Sequence, residues 1–156
     1  MKVIFLDIDG VLNYSKCKTK IHGMYGIEEN KLVLLRAIVN ATHSKVVLTS
    51  TWKLDWNPDT KFEDLNEDGQ YLAATFYRAD IDILDKTTDN GSNRGAGIVD
   101  WLDEHPWVDK FCILDDELFD YAEYNLMPHV VKTSFYDGGL KLSHVSEAVK
   151  ILGGKE

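Results

Sequence analysis

Nowhere in these 156 residues do apolar side chains run for the roughly 20 positions that a membrane-spanning helix needs. The amino-terminal run Met1-Lys2-Val3-Ile4-Phe5-Leu6 meets an acid at Asp7, too early for a signal-peptide core, so a soluble cytoplasmic protein with no membrane partner is expected. Cysteine is scarce. Cys17 and Cys112 form no CxxC pair, and Cys112 stands inside the apolar run Phe111-Cys112-Ile113-Leu114, so both read as buried, inert thiols in a reducing setting. Positive charge is short as well: 17 Lys and Arg stand against 26 Asp and Glu, and the net charge of −9 opposes broad attachment to phosphate backbones. Small or short-tailed substrates are favoured. No internal repeat, low-complexity tract or linker divides the chain.

What is present suits one domain over residues 1–156. A hydrophobic content of 44% can fill a core without a metal or disulfide staple. Five short runs rich in β-branched residues read as strands: Lys2 to Ile8, Lys45 to Thr49, Ile81 to Leu84, Lys110 to Leu114 and His129 to Thr133. Their near-continuous hydrophobicity calls for cover on both faces, as in a parallel sheet. Helical spacing joins Leu32, Leu35, Ile38 and Val39, then Ile98, Trp101 and Leu102 ahead of Pro106. A last helix carries Val145, Ala148, Val149 and Leu152, with Ser143 as its expected N-cap and Gly153-Gly154 as its end. A further helix is expected from about Phe62 to Arg78, interrupted at Asp68-Gly69. Alternating strands and helices give an α/β fold: a single Rossmann-like open parallel sheet of about five strands flanked by helices. The site in such a sheet lies at the carboxyl ends of the strands.

Acids and hydroxyls gather there. The first strand ends in Asp7-Ile8-Asp9-Gly10, the second in Thr49-Ser50-Thr51, and the fourth in Asp115-Asp116-Glu117. At least four carboxylates on one edge repel one another unless a cation lies among them, and oxygen-only ligands point to Mg²⁺. Arg94, just before the helix of Ile98 and Trp101, is placed to join a helix N-terminus in facing an anion, with Lys86 as the substitute.

Together these residues resemble the haloacid-dehalogenase (HAD) superfamily. Asp7-Ile8-Asp9-Gly10-Val11-Leu12-Asn13 is similar to its first motif, Ser50 after Val46-Val47-Leu48-Thr49 to its second, Arg94 to its third, and Asp115-Asp116 to its fourth. The pieces Thr49-Ser50-Thr51-Trp52-Lys53 and Arg94-Gly95 look most like small HAD domains related to nucleic-acid-repair phosphatases. The resemblance implies a phosphatase in which Asp7 is the nucleophile and Asp9 the acid and base. It further implies that Asp7, the Asp9 carbonyl and Asp115 hold Mg²⁺, with Asp116 assisting, while Ser50 and Arg94 hold phosphoryl oxygens. Which of Thr49, Ser50 and Thr51 touches phosphate is left open by three adjacent hydroxyls.

Between Asn13 and about Glu28 there is room for a flap but not for a cap domain. An open site implies closure by a large phosphorylated substrate, such as a nucleic-acid end or a phosphoprotein, or by a second subunit in a homodimer. Small phosphorylated molecules and nucleotides belong to the same expected partner class. Trp52, Trp56, Tyr14, Tyr25 and His22 fall near the entrance, where a ring can stack on a nucleobase or simply pack as scaffold. Two other readings are a receiver-like signalling module and a silent HAD fold kept for binding. A receiver stops near one phosphoryl group per chain, whereas an enzyme turns over.

Overall fold

The computed structural model describes residues 1–154. Strands β1 (Lys2–Leu6), β4 (Lys45–Leu48), β5 (Ile83–Lys86), β6 (Lys110–Asp115) and β7 (Val130–Lys132) form one parallel sheet in the order β5-β4-β1-β6-β7. Helices α1 (Glu29–Thr42), α2 (Glu67–Arg78), α3 (Arg94–Glu104) and α4 (Leu142–Leu152) connect or follow them. A two-residue-per-strand hairpin, β2 (Lys20–Ile21) and β3 (Met24–Tyr25), fills the gap after β1, so no large cap is present.

Strand alternation divides the core in two. Ile4, Leu6, Val46, Leu48, Cys112 and Leu114 face α1, α2 and α4, packing with Leu35, Leu72, Phe76 and Val149. Val3, Phe5, Val47 and Ile113 face the other way, onto Ile98 and Trp101 of α3 and onto Tyr121. In register, Phe5 lies between Val47 and Ile113. The ladder continues one residue past the assigned strands, with Asp7 N–H donating to Leu114 and Thr49 N–H to Leu6. By the period of two, Asp7, Thr49 and Asp115 therefore follow Phe5, Val47 and Ile113 on the α3 side of the sheet.

Several expected boundaries move. The third expected strand begins at Ile83 instead of Ile81, because Ile81 N–H donates to the Phe76 carbonyl and closes α2, with Asp80 left-handed (φ 58°) between them. The helix break falls at Leu65-Asn66, not at Asp68-Gly69: a short helical turn over Phe62–Asp64 precedes α2, and the Asn66 side chain caps it by accepting the Gly69 N–H at 2.8 Å. Gly69 belongs inside that first turn because any Cβ there would collide with the Asp55 carbonyl. Ser143 is not the N-cap of α4; it lies within the helix, and the Lys141 N–H is instead satisfied by His144 Nδ1 at 2.9 Å. The hairpin turns on His22 and Gly23, both left-handed (φ 50° and 76°), the geometry of a type I′ turn. Among the described residues, no helix is long and apolar enough to cross a membrane.

Candidate active site

Adjacent strand ends bring three carboxylates together. Asp7 is 4% exposed, Asp115 is fully buried, and Asp116 is half-buried; one oxygen from each lies within 4.8 Å of the others. Arg94 reaches into this group. Its Nη1 stands 2.9 Å from Asp7 Oδ1 and 2.9 Å from Asp115 Oδ2, and its Nε donates to the Gly91 carbonyl at 2.8 Å. The guanidinium lies over the Phe119 ring, 4.3 Å from its centre. Tyr121 donates its hydroxyl to Asp115 Oδ2 at 2.6 Å, and Glu117 N–H donates to Oδ1 at 3.0 Å.

One guanidinium does not neutralise three close carboxylates. Burial, followed by the charge of Asp115, raises the proton affinity of Asp7 well above the ordinary carboxyl range, although Arg94 opposes the shift. Burial and Asp115 likewise push Asp116 up to about 6. Burial would loosen the Arg94 proton, but Asp7 and Asp115 outweigh it and hold that group charged. The donor set is all oxygen, with no thiolate or imidazole in it, and it carries excess negative charge. It therefore suits a hard divalent cation.

Asp9 stands apart. Its exposed side chain is absent from the cluster, so the side chains placed to hold a cation are those of Asp7, Asp115 and Asp116. Both carboxylate oxygens are held elsewhere: Asn13 Nδ2 donates to Oδ1 at 2.8 Å and Trp52 Nε1 to Oδ2 at 3.2 Å. Asn13 is fully buried and also accepts the Gly10 N–H at 2.9 Å, tightening the loop that follows β1. Gly10 is left-handed (φ 84°) and packs on Asp116 so closely that a Cβ would overlap its carboxylate. The loop thus turns Asp9 one way while leaving Asp7 beside Arg94.

The hydroxyls differ in what they already touch. Ser50 Oγ accepts the Trp52 N–H at 3.2 Å, capping a helical turn over Thr51–Asp55, and keeps its own proton to donate. Thr49 Oγ1 is buried without a hydrogen-bond partner, on the face shared with Asp7 and Asp115. Thr51 is exposed and packs its methyl group near Gly91.

Two basic residues behave differently from the sequence reading. Lys86, the substitute for Arg94, donates to the backbone carbonyls of Lys53 and Trp56 and braces the turn after β4. Lys53 was not singled out, because a lysine in a short polar turn carries no sign of burial. It is 1% exposed, and its Nζ lies 2.9 Å from Thr87 Oγ1 and 2.8 Å from Asp89 Oδ1. Asp89 Oδ2 accepts the Gly91 N–H at 2.8 Å, so this buried pair holds the loop whose carbonyl receives Arg94 Nε. Burial lowers the proton affinity of Lys53 despite Asp89.

The N-terminus of α3 does not face an open anion site, as its position before the helix suggested. Its first free amides are occupied by Asp120, with Gly95 N–H donating to Oδ1 at 2.6 Å and Ala96 N–H to Oδ2 at 3.2 Å. Among the described residues, Arg94 is the basic side chain paired with the cluster. A groove of about 1050 Å³ between α1 and α2 contains none of these groups. A cavity of about 590 Å³ does contain Asp9.

A family model described as the HAD domain in Swiss Army Knife RNA repair proteins matches residues 3–145, a span that includes every residue of the acidic cluster. No curated protein and no solved structure matches the chain.

Proposed function

The chain belongs to the HAD-domain family of Swiss Army Knife RNA repair proteins, a phosphatase-type hydrolase family, and from that premise we propose that it is a Mg²⁺-dependent phosphomonoesterase acting through an aspartyl-phosphate. The observation that carries this reading is the division of labour between two aspartates two positions apart. Asp7 is buried against Arg94, whereas Asp9 is turned outward and held by Asn13 and Trp52.

Asp7 Oδ1 is anchored by Arg94, which leaves the other oxygen to attack phosphorus. As that oxygen–phosphorus bond forms, the bond to the leaving oxygen breaks and Asp9 gives that oxygen a proton. In the second half, Asp9 takes a proton from water as the water oxygen attacks phosphorus, and Asp7 departs with its electron pair. Thr49, buried without a partner, and Ser50, whose proton is uncommitted, are the donors available to phosphoryl oxygens. Arg94 adds positive charge on the same side. Mg²⁺, held by Asp7, Asp115, Asp116 and the Asp9 carbonyl, would supply the charge that lets one anion approach another.

The substrate class proposed is a phosphorylated nucleotide or nucleic-acid end, in keeping with the RNA-repair description of the family and with a site that no cap domain covers. The test is phosphate release, with and without Mg²⁺, from p-nitrophenyl phosphate, mononucleotides, 3′- and 5′-phosphorylated oligonucleotides, sugar phosphates and a phosphopeptide. Repeated turnover that needs Mg²⁺ and disappears in Asp7→Asn supports the reading. A folded chain that releases no phosphate from any of them, or only one equivalent, refutes it.

A further inference from the structure

The cavity that contains Asp9 adjoins the acidic cluster without being part of it. About 590 Å³ in volume, it lies between the β2–β3 hairpin, the helical turn after β4 and the segment after β7, and its lining includes Asp9, Tyr25, Trp52, Asp55, Asp68 and Phe135. Sites for ligands of nucleoside size fall in this range of volume. We propose that this cavity receives the nucleobase of the nucleotide whose phosphate is removed. The proposal rests on the phosphatase reading above and specifies its leaving group.

Position is the first argument. Asp9 is the group assigned to protonate the leaving oxygen, and it is common to the cavity and the reaction centre. A leaving group protonated by Asp9 would therefore lie against this cavity, whose lining includes Asp9 and not Asp7.

Shape and chemistry supply the second. Three aromatic side chains line the cavity, and two of them brace each other, with Tyr25 and Phe135 meeting edge to face at 5.2 Å between ring centres. Trp52 is fixed by its bond to Asp9 and by Tyr71, whose ring centre lies 6.0 Å away. A flat, conjugated ligand is what such walls accept, and every nucleobase offers a π-face.

The polar groups distinguish among flat ligands. Asp55 Oδ1 accepts from Asn66 Nδ2 at 2.8 Å and Asp68 Oδ1 pairs with His22 Nδ1 at 3.3 Å, leaving a further carboxylate oxygen on each. Carboxylates accept and never donate, so the matching ligand carries N–H groups on its ring edge. A nucleobase does, whereas the phenyl ring of phosphotyrosine presents only carbon. Three carboxylates around one cavity also repel a second phosphate or an acidic side chain. A bare sugar phosphate would leave the aromatic walls uncovered.

Titration calorimetry of the full chain with adenosine, ribose and phenol, without divalent cation, tests the assignment. Adenosine is expected to bind about tenfold or more tightly than either of the others, as stacking of a base implies, and Phe135→Ala to erase most of that advantage. Equal binding of the three probes by the unaltered chain overturns the proposal, as does an advantage that survives intact in both Phe135→Ala and Tyr25→Ala. The assay needs neither metal nor turnover. Phosphate release without selective base binding therefore removes the cavity assignment alone, while selective base binding without phosphate release supports the cavity and removes the phosphatase reading.

Discussion

Trp52 donates its indole N–H to Asp9, with Nε1 3.2 Å from Oδ2, across 43 positions of sequence. Replacing Trp52 by Phe keeps an aromatic ring and deletes the donor, so the carboxylate is held by Asn13 alone. We expect kcat to fall about tenfold for an alkyl phosphate, whose leaving oxygen must be protonated, and far less for p-nitrophenyl phosphate, whose leaving group needs no proton. Equal losses on the two substrates would show that Trp52 does not act through Asp9.

Asp7→Asn should reduce turnover more than about a hundredfold while the far-ultraviolet circular dichroism is preserved, because the nucleophile is lost and a buried charge is removed. Asp9→Asn should slow both half-reactions and follow the same leaving-group dependence as Trp52→Phe. Asp7→Asn activity within a hundredfold of the unaltered chain would end its assignment as nucleophile.

Arg94 is placed to hold the fold as well as to serve the proposed reaction. Its side chain is 7% exposed and lies between two buried carboxylates, so Arg94→Ala leaves Asp7 and Asp115 facing each other with no cation. Removing one partner of such a group costs about 3–5 kcal/mol, which urea unfolding without metal would measure. Added Mg²⁺ should recover part of the loss. KM for phosphate esters should rise in Arg94→Lys, which keeps the charge and gives up the bond to Gly91. Unchanged stability and kinetics in both variants would contradict this placement.

The metal-free chain should be less stable at about pH 7 than at about pH 5 on account of Asp116. Its carboxyl is carried from an ordinary 3.8 to about 6 in the folded chain, by burial and by Asp115. Between those values the folded state keeps a proton that the unfolded state has released, so stability falls as pH rises through the interval and stays reduced above it. On the proposed reading Mg²⁺ would take the place of that proton and should raise Tm more at the higher pH. Asp116→Asn should reduce the metal-free difference, leaving the part that the raised Asp7 carboxyl contributes in the same direction; an identical pH dependence in that variant would count against the mechanism.

The acidic edge was legible because each acid directly follows an apolar run, so that recognising the strands was enough to place Asp7, Asp115 and Asp116 together. The different surroundings of Thr49, Ser50 and Thr51 were not, since they depend on which way each side chain turns and on what else it touches. Two other features are long-range. Asp120 caps α3 from 25 positions away, and Lys53 finds Asp89 from 36 away, pairings that leave no periodic trace. The start of β5 was misplaced for a local reason: Ile81 has the residue type of a strand, but closing α2 after the left-handed Asp80 claims its amide first.

The bond from Asp120 to the first amides of α3 has a consequence for how this site can diversify. It joins the segment that follows β6, just past Asp115 and Asp116, to the helix that begins at Arg94, so the acidic cluster and its guanidinium share one braced support. The tip of the β2–β3 hairpin is held differently, for His22 meets Glu67 and Asp68 only through exposed polar contacts that water weakens. The α3 side of the cluster is fixed, and the hairpin tip is lightly pinned. Changes of sequence at the hairpin tip can therefore reshape the cavity it lines while the acidic cluster stays in place.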